Sequence, residues 1–393
     1  MITLRKKYTD SFNFVFNKRV ILRVDFNVPV VDGEISDLTR IEKILPTIQD
    51  LLEHKAKILL ISHFGRPDGQ KNEEYSLKKL VSVIKKVLNQ ELYFLDDDIR
   101  KIKSEKVRRI LNTNDIILFE NIRFYKEELL NDENFSKHLS TLGEIFINDS
   151  FSCSHRAHSS IVGIPKFLPS FPGKLLEDEV KNLKKIINNN ISNNVVILGG
   201  SKVSTKLEII EFLIKKFDRL LIGGAMANTF FAAKGLDIGA SLYEKSMIKT
   251  AKFFLKDFEQ RLVLPEDVVV DSEGESIVKN LNQILKHEKI FDIGPRTRMR
   301  FHEIISNSES ILWNGPLGKF EQTPFDAGTK FVAGAIKQKK NKNFFSVAGG
   351  GDTISMLKRF DFFKNFSYVS TGGGAFLEFI QGTDLPGLIY LNK

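Results

Sequence analysis

Cysteine is almost absent from this chain of 393 residues, in which Cys153 is the only one. A single thiol excludes a disulfide within the chain and a structural zinc site built from cysteines. Beside Arg156 it could be a nucleophile, but the sequence shows no activating arrangement, so a small packing residue is the better interpretation. A reducing cytoplasm is the expected location.

Long apolar runs are also missing, since no stretch approaches the ~18 uncharged apolar residues of a membrane-spanning helix. The first twelve residues, MITLRKKYTDSF, are basic but lack the apolar run and cleavage site of a secretory signal. Hydrophobic residues make up 42% and charged residues 27%, which favours a folded globular chain over disorder. The length suits two domains, and a monomer is the expected state.

Several familiar nucleotide motifs do not occur. There is no GxxxxGK[ST] loop, no GxGxxG after a predicted strand, and no His-Arg-Asp and Asp-Phe-Gly pair. P-loop enzymes and protein kinases are thereby excluded. A nicotinamide-dependent dehydrogenase stays open only as a weak alternative, which a cofactor absorbance assay would test.

The formal net charge of +9 is compatible with nucleic acid, an anionic membrane or small anions as partners. The lysines are scattered in small groups, however, and no nucleic-acid recognition motif accompanies them. We therefore expect small anionic ligands and neither nucleic acid nor membrane. A nucleic-acid-binding protein would show strongly salt-dependent binding to DNA or RNA.

Short apolar runs alternate with segments of helical period, which predicts an α/β fold of doubly wound parallel sheets. The predicted strands are Val20–Phe26, Lys57–Phe64, Asp115–Glu120, Glu144–Asn148, Asn194–Gly199, Arg219–Gly223, Arg261–Val263, Ser310–Trp313, Phe344–Ala348 and Tyr368–Ser370. Ten strands exceed one comfortable sheet. A Pro/Gly-rich stretch at Pro169–Gly173 and a polar run at Asn188–Asn194 indicate two Rossmann-like lobes, residues 1–173 and 191–382. A connecting helix and hinge, 174–190, would join them across a cleft.

Arginine follows four predicted strands of the first half, at Arg40, Arg66, Arg123 and Arg156. Ligands of open α/β sheets bind beyond the carboxyl ends of the strands, and the planar guanidinium pairs well with phosphate or carboxylate oxygens. Each arginine alone could form a surface ion pair, but four at equivalent positions predict a pocket for a small polyanion.

Glycine follows the strands of the second half, in turns such as Gly199–Gly200, Gly223–Gly224 and Gly349–Gly351. One such turn is a weak signal, but five in one half predict backbone N–H groups that bind the phosphates of a nucleotide. Thr205 and Glu208 predict a capping box that places Lys206 in the first turn of a helix. Asp352 offers a carboxylate oxygen suited to nucleotide-bound Mg²⁺.

An anion-binding lobe and a nucleotide-binding lobe together indicate phosphoryl transfer. A carboxylate acceptor is already ionised at neutral pH and needs no general base, so positioning and charge neutralisation suffice. Asp25 could in principle serve as a base for a different acceptor.

The chain resembles the phosphoglycerate kinase family through eight motifs in that family's order. They are RVDFNVP (Arg23–Pro29), DLTRIEKILPTI (Asp37–Ile48), SHFGRP (Ser62–Pro67), ENIRF (Glu120–Phe124), GGSKVSTK (Gly199–Lys206), WNGPLGKFE (Trp313–Glu321), GGGDT (Gly349–Thr353) and STGGGAFLE (Ser370–Glu378). The resemblance implies reversible, Mg²⁺-dependent transfer of the acyl phosphate of 1,3-bisphosphoglycerate to ADP, after hinge closure. A catalytically inactive relative is the third alternative, although every charged motif residue is present.

The resemblance also implies a role for each matching residue. The implied substrate-binding residues are Asp25, Phe26, Asn27, Arg40, His63, Phe64, Gly65, Arg66, Arg123 and Arg156. The implied catalytic residues are Arg40, Lys202, Lys206, Gly373 and Gly374. The implied nucleotide-binding residues are Lys206, Gly223, Gly224, Asn314, Pro316, Glu321, Gly350, Gly351, Asp352 and Thr353, with Asp352 also binding the metal. Residues 383–393 would return to the first lobe.

The least typical stretch is SFSCSHRAH, Ser150–His158. It carries Ser152 and Ser154 where the family usually shows glycine and alanine. Since both replacements are small, we expect Arg156 to keep its place, although the affinity for substrate could differ.

Overall fold

The computed structural model describes residues 4–31, 33–188, 193–339 and 341–392. The chain forms two compact units: Met1–Lys181 with Thr383–Lys393, and Asn182–Gly382. The division falls inside a helix, Lys174–Ile187. Positions 189–190 of the predicted connection lie outside the described residues. None of the helices in the described ranges combines the length and apolar character needed to cross a membrane.

The first unit is built on a six-stranded parallel sheet. Its strands, with a short antiparallel hairpin (β2 and β3), are β1 Arg19–Arg23, β2 Val30–Val31, β3 Glu34–Ile35, β4 Lys57–Ile61, β5 Tyr93–Leu95, β6 Ile116–Phe119, β7 Ile145–Asn148 and β8 Ser170–Pro172. Its helices are α1 Phe12–Val15, α2 Thr39–Glu42, α3 Leu45–Glu53, α4 Val81–Leu88, α5 Ser104–Leu111, α6 Lys126–Leu129, α7 Glu133–Leu142 and α8 Lys174–Ile187. The sheet order is β5-β6-β4-β1-β7-β8.

Continuous apolar runs explain why these strands occupy the middle of the unit. Side chains alternate between the two faces of a strand, yet every residue of β6 and β7 is buried, and so are the last four of β1 and β4. Both faces of the sheet are therefore covered, which confirms the prediction of parallel strands between helices.

The Pro/Gly-rich stretch at Pro169–Gly173 lies within the first unit and contains strand β8. Phe146 donates its N–H to the Pro169 carbonyl at 3.0 Å, and Gly173 donates to the Asn148 carbonyl at 2.7 Å. Pro172 lacks an N–H, and an edge strand tolerates that loss since one side needs no partner.

The second unit contains a second six-stranded parallel sheet and a three-stranded antiparallel one. Its strands are β9 Asn194–Leu198, β10 Arg219–Ile222, β11 Leu262–Val263, β12 Asp267–Ser272, β13 Glu275–Asn280, β14 Lys289–Ile293, β15 Ser310–Asn314, β16 Phe345–Gly349 and β17 Tyr368–Ser370. Its helices are α9 Leu207–Leu213, α10 Met226–Ala233, α11 Ile248–Asp257, α12 Pro295–Ser306, α13 Ala327–Lys337, α14 Gly351–Arg359 and α15 Gly374–Ile380. The orders are β11-β10-β9-β15-β16-β17 and β13-β12-β14.

The predicted capping box at Thr205 and Glu208 is wrong. A short 3₁₀ turn, Ser204–Lys206, precedes α9, and neither cap residue uses its side chain. The Thr205 hydroxyl donates instead to the Lys202 carbonyl at 3.0 Å. Thr205 therefore closes the turn, and Lys206 lies at the start of α9 and not inside its first turn.

The last helix, α16 Pro386–Leu391, belongs to the first unit. Leu385, Leu388 and Leu391 are fully buried. Gly387 donates its N–H to the Ser154 carbonyl at 2.8 Å. The segment therefore contributes to the core that supports the loop after β7.

Candidate functional site

Four strands of the first unit end side by side, and backbone hydrogen bonds continue past them. Val24 donates its N–H to the Ile61 carbonyl at 3.0 Å, and Asp149 donates to the Arg23 carbonyl at 2.8 Å. Ile122 donates to the Ser62 carbonyl at 3.1 Å. These bonds join the loops that carry the predicted substrate residues at one edge of the sheet.

Asp25 is a buried carboxylate with several donors. Its Oδ2 accepts from Arg40 at 2.9 Å and from the Ser152 hydroxyl, and its Oδ1 accepts the Asn27 N–H at 2.8 Å. Burial alone would raise the pKa of Asp25, but Arg40 and these hydrogen bonds lower it to about 2. Asp25 is therefore an anion at neutral pH and a poor proton acceptor.

Asn27 and Arg123 fix the tight turn after β4. The Asn27 side-chain oxygen accepts the Gly65 N–H at 2.9 Å, and Arg123 donates to the Gly65 carbonyl at 3.0 Å. Gly65 has a φ of +63°, and a Cβ there would lie 2.1 Å from the Tyr75 ring. Glycine is thus required at this turn by both conformation and space.

A cavity of about 170 Å³ lies beyond this turn. It is lined by Arg66, Asp68, Arg123, Leu129, Arg156 and His158; we call it the arginine pocket. Three of the predicted substrate residues therefore meet there, while Asp25, Asn27, Arg40 and His63 lie in the connected loops. Asp68 was not among the predicted site residues. His158, two positions after Arg156, was expected at this edge of the sheet but was assigned no role.

The histidines of this region are uncharged at neutral pH. Burial, together with Arg123 and other nearby arginines, lowers the pKa of His158 to about 3. Burial and Arg156 lower the pKa of His155 to about 4, and burial holds that of His63 well below its usual range. The positive charge of the pocket therefore comes from guanidinium groups, while His158 offers a neutral imidazole.

A buried network of side-chain hydrogen bonds, which the sequence did not predict, lies next to the arginine pocket. Arg23 donates to the Ser160 hydroxyl at 2.9 Å and contacts His63 Nδ1 at 3.2 Å. Ser160 in turn donates to Glu128 at 2.6 Å, and His158 Nδ1 lies 3.7 Å from the same carboxylate oxygen. An arginine inside an apolar strand was the only sequence signal for this network.

Some predicted residues of the first unit lie elsewhere. Phe26 is fully buried in the core, and Phe64 packs there with its ring against Tyr75. Any contact of these two with substrate would come from their backbone. Asp149, which also follows β7, is buried and accepts the Leu176 N–H at 3.1 Å, so it caps α8 and does not line the pocket.

The single cysteine is buried beside charged groups of the same loops. Its sulfur lies 3.7 Å from His63 Nδ1 and 3.7 Å from Arg23. It also packs with Ile161 and Val162. Burial of the thiol agrees with the interpretation of Cys153 as a packing residue.

In the second unit, glycine allows three strand-end turns to touch through their backbones. Gly199 donates to the Asn314 carbonyl at 3.0 Å, and Gly200 donates to the Pro316 carbonyl at 3.0 Å. Gly224 donates to the Leu317 carbonyl at 2.8 Å. A Cβ at Gly199 would lie 1.9 Å from the Pro316 carbonyl oxygen. These glycines serve packing of the turns, whatever else they bind.

Lys206 reaches back over the same turns. Its Nζ donates to the carbonyls of Gly199 at 2.5 Å and Asn314 at 3.2 Å. Burial lowers its pKa to about 8, and the nearby charge of Asp352 opposes that shift. Lys206 is therefore mostly protonated at neutral pH but easily discharged.

Asn314 and Thr353 join the turn after β15 to the turn after β16. The Asn314 amide donates to the Gly349 carbonyl at 2.7 Å, and the Gly315 N–H donates to the Thr353 hydroxyl at 2.7 Å. Both side chains are buried. The Asn314 side-chain oxygen has no hydrogen-bond partner among the described residues.

The remaining nucleotide-site residues lie at helix starts or on the surface. Gly351 and Asp352 begin α14 and are exposed, and Gly373 precedes Gly374 at the start of α15. The first N–H groups of a helix have no intrahelical partner and favour anions. Lys202 and Glu321 are exposed, and Asp352 acts on Lys206 electrostatically.

Comparison with known proteins shows which family this chain is similar to. The phosphoglycerate kinase family model matches residues 10–383. Relatives named phosphoglycerate kinase include that of Sinorhizobium medicae, 42% identical over 98% of this chain and 99% of its own. That of Orientia tsutsugamushi is 44% identical over 99% and 97%.

The solved structure of phosphoglycerate kinase from Coxiella burnetii is similar to this chain with a TM-score of 0.86 and 37% identity. The likeness covers 96% of each chain. Fold, sequence and family model therefore agree over nearly the whole length. The chain belongs to the phosphoglycerate kinase family.

Proposed function

We propose that this chain transfers the acyl phosphate of 1,3-bisphosphoglycerate to ADP, reversibly, giving 3-phosphoglycerate and ATP. Family membership already makes it a kinase that acts on a carboxyl group. The observation that carries the proposed substrate is the arginine pocket, where Arg66, Arg123 and Arg156 surround about 170 Å³. Three guanidinium groups around so small a space suit one phosphate group.

The other end of the substrate would meet Asp25, Asn27 and Arg40. Arg40 pairs with Asp25 at 2.9 Å, and its side chain is 29% exposed, so it can turn toward an added anion. A guanidinium at the carboxyl end would neutralise charge on the transferring group. Asp25 and Asn27 would accept hydrogen bonds from the substrate hydroxyl and orient it.

The proposal contains no general base. Asp25 has a pKa of about 2 and already accepts bonds from Arg40 and Ser152, so it is a weak base. A carboxylate acceptor needs none, because it is ionised at neutral pH. Positioning by Arg40 and the arginine pocket would therefore account for the role of this unit.

On the second unit, the nucleotide phosphates would lie against Lys206 and the start of α14. Lys206 is charged at neutral pH, and Gly351 leaves open space where a Cβ would stand. We propose that Lys202, Gly373 and Gly374 contact the transferring phosphate. Glu321 would hold the ribose, and Gly223, Gly224, Asn314, Pro316, Gly350 and Thr353 would shape the nucleoside and phosphate site.

The nucleotide would carry Mg²⁺, and Asp352 fits as its protein ligand. Its carboxylate is exposed in the first turn of α14 and forms no hydrogen bond or ion pair with the described residues. Within those residues, no group of three or more His, Cys, Asp or Glu side chains could hold a metal ion. Mg²⁺ commonly uses one or two carboxylates together with substrate phosphates. Bound there, it would neutralise phosphate charge.

The proposed ligands bind to different units, and the proposal includes a closure that brings them together for transfer. A cytoplasmic monomer is the working state. Small-angle scattering with 3-phosphoglycerate and MgADP should show compaction relative to the free protein. An unchanged radius of gyration would contradict the closure step.

A steady-state assay with 3-phosphoglycerate and MgATP tests the reaction, with product trapped by a coupling dehydrogenase. Arg40→Ala and Lys206→Ala should each lower kcat/KM by about a hundredfold or more, as expected for loss of charge stabilisation. Arg109→Ala and Lys215→Ala change exposed side chains of the same units and should leave turnover unchanged. No turnover by folded wild-type protein would sink the proposal.

A further inference from the structure

Ser152 contacts the proposed substrate site through one hydrogen bond. It lies in the 3₁₀ turn Phe151–Cys153 that follows β7, and it is half-buried. Its hydroxyl donates to Oδ2 of Asp25, which is 127 positions earlier in the chain. The same oxygen accepts the Arg40 guanidinium at 2.9 Å. Ser152 and Arg40 therefore share one carboxylate oxygen.

We propose that Ser152 is a positioning residue, which holds Asp25 in place when Arg40 turns from Asp25 to the carboxyl group of the substrate. The inference rests on the proposed function, since it assigns Ser152 a part in binding that substrate. It adds a residue that none of the implied site roles includes. Ser152 itself need not touch the substrate.

The physical reason lies in the burial of Asp25, which is 5% exposed. A buried carboxylate must keep donors, because burial without them disfavours its charged form. If Arg40 gives part of its charge to the substrate, Oδ2 retains the Ser152 hydroxyl and Oδ1 retains the Asn27 N–H. Two further titratable groups act on Asp25: His63, 3.9 Å from Oδ1, whose low pKa leaves it neutral, and Arg123, whose guanidinium interacts with the carboxylate electrostatically.

Within its own loop, the Ser152 hydroxyl has weaker contacts. Its oxygen lies 3.5 Å from the Ser150 hydroxyl and 3.9 Å from the Cys153 sulfur. Ser154 provides the contrasting case, because its hydroxyl donates to the Ser150 carbonyl at 3.0 Å and accepts from Asn148 at 3.2 Å. A role in loop stability would therefore belong to Ser154, and a role at Asp25 to Ser152.

The test compares Ser152→Ala with Ser154→Ala in the coupled assay. Ser152→Ala should raise the KM for 3-phosphoglycerate about tenfold, the loss expected for one hydrogen bond to a charged group. The KM for MgATP should stay within about twofold, since the hydroxyl lies on the other unit. Ser154→Ala should lower the melting temperature and leave both KM values unchanged.

A pH profile supplies a readout that a merely structural role would not move. Loss of a donor to the carboxylate raises the pKa of Asp25, so the acid limb of kcat/KM for 3-phosphoglycerate should shift to higher pH in Ser152→Ala. An unchanged KM and acid limb in Ser152→Ala would overturn the inference, and so would an equal rise in KM in Ser154→Ala. Inactive wild-type protein would instead refute the proposed function.

Discussion

Burial shifts the pKa values of the two charged residues at the centre of the proposed sites, Asp25 and Lys206. Arg40 and two further donors offset the burial of Asp25 and hold its pKa at about 2. Lys206 finds only carbonyl acceptors and a more distant Asp352, so its pKa falls to about 8. Both residues are charged at neutral pH, but the pKa of Lys206 lies only about one unit above it.

The depressed pKa of Lys206 predicts a pH-dependent stability of the second unit. Between pH 8 and 10.5 the folded state binds fewer protons than the unfolded state, so the free energy of unfolding rises with pH. The gain should reach about 3 kcal/mol and should be absent from Lys206→Met, which keeps the length of the side chain without its charge. Below pH 8 the full destabilisation remains.

Urea unfolding followed by Trp313 fluorescence measures this effect, because the single tryptophan is fully buried in the second unit. The difference in unfolding free energy between wild type and Lys206→Met is the quantity to compare at pH 7 and 10.5. Taking this difference cancels the pH-dependent contribution of the other lysines, which both proteins share. Parallel pH profiles for the two proteins would show that the Lys206 pKa is not lowered.

The sequence was sufficient to predict which residues stand at the strand ends, but not how they are joined. Arg66, Arg123 and Arg156 meet because parallel strands end at one edge, a property of the fold class. The bond from Ser160 to Glu128 depends on the exact approach of two loops 32 positions apart. Such contacts depend on three-dimensional packing, for which a single sequence holds no periodic signal.

At the scale of elements, parallel strands were easier to predict than the antiparallel sheet. All ten predicted strands occur, because strands buried on both faces are continuously apolar. The hairpin of β12 and β13 was missed, since β13 is largely exposed and its composition is polar. In the structure, Glu273 and Gly274 both have positive φ, as a type I′ hairpin turn requires, but Glu-Gly is not one of the sequence pairs that predict such a turn.

The glycine turns of the second unit can be separated into structural and ligand-facing ones by substitution. Gly199→Ala should lower the free energy of unfolding by about 3 kcal/mol or more, because its Cβ would overlap the Pro316 carbonyl. Gly351→Ala should stay within about 1 kcal/mol of wild type, since nothing lies within 4 Å of its Cβ.

Gly351→Ala, which should change stability little, should instead weaken nucleotide binding. A methyl group at Gly351 would stand in the open space of the proposed phosphate site, so the KM for MgATP should rise about tenfold, or ~1.4 kcal/mol. Urea unfolding and steady-state kinetics on both variants are the measurements. A stable, kinetically normal Gly351→Ala enzyme would show that no phosphate approaches that position.

At the scale of the whole molecule, the high content of lysine and phenylalanine has a structural use in the second unit. Seven ammonium groups among the described residues lie over aromatic rings there, including Lys330 over Phe360 at 4.7 Å, Lys337 over Phe362 at 5.8 Å, Lys339 over Phe344 at 5.0 Å and Lys358 over Phe363 at 5.3 Å. Each such contact contributes about 0.5–1 kcal/mol at an exposed position. These lysines therefore have partners within the chain, independent of any polyanion.

The first unit includes the helix α16, from the far end of the chain, and its stability should therefore depend on that helix. Leu388 on α16 is fully buried in that unit, beside a loop whose residues face the arginine pocket. Leu388→Ala should lower the free energy of unfolding of the first unit by about 2–5 kcal/mol, through lost transfer energy and a cavity. Ile389→Ala removes a similar volume from a half-buried neighbour and should cost about 1 kcal/mol.

Two probes locate the effect. Far-UV circular dichroism reports both units, whereas Trp313 fluorescence reports the second. In Leu388→Ala, part of the dichroism change should move to lower urea concentration while the fluorescence midpoint stays near that of wild type. A fluorescence midpoint that falls as far as the dichroism midpoint would mean that the units unfold as one, so that α16 stabilises the whole chain and not its own unit alone.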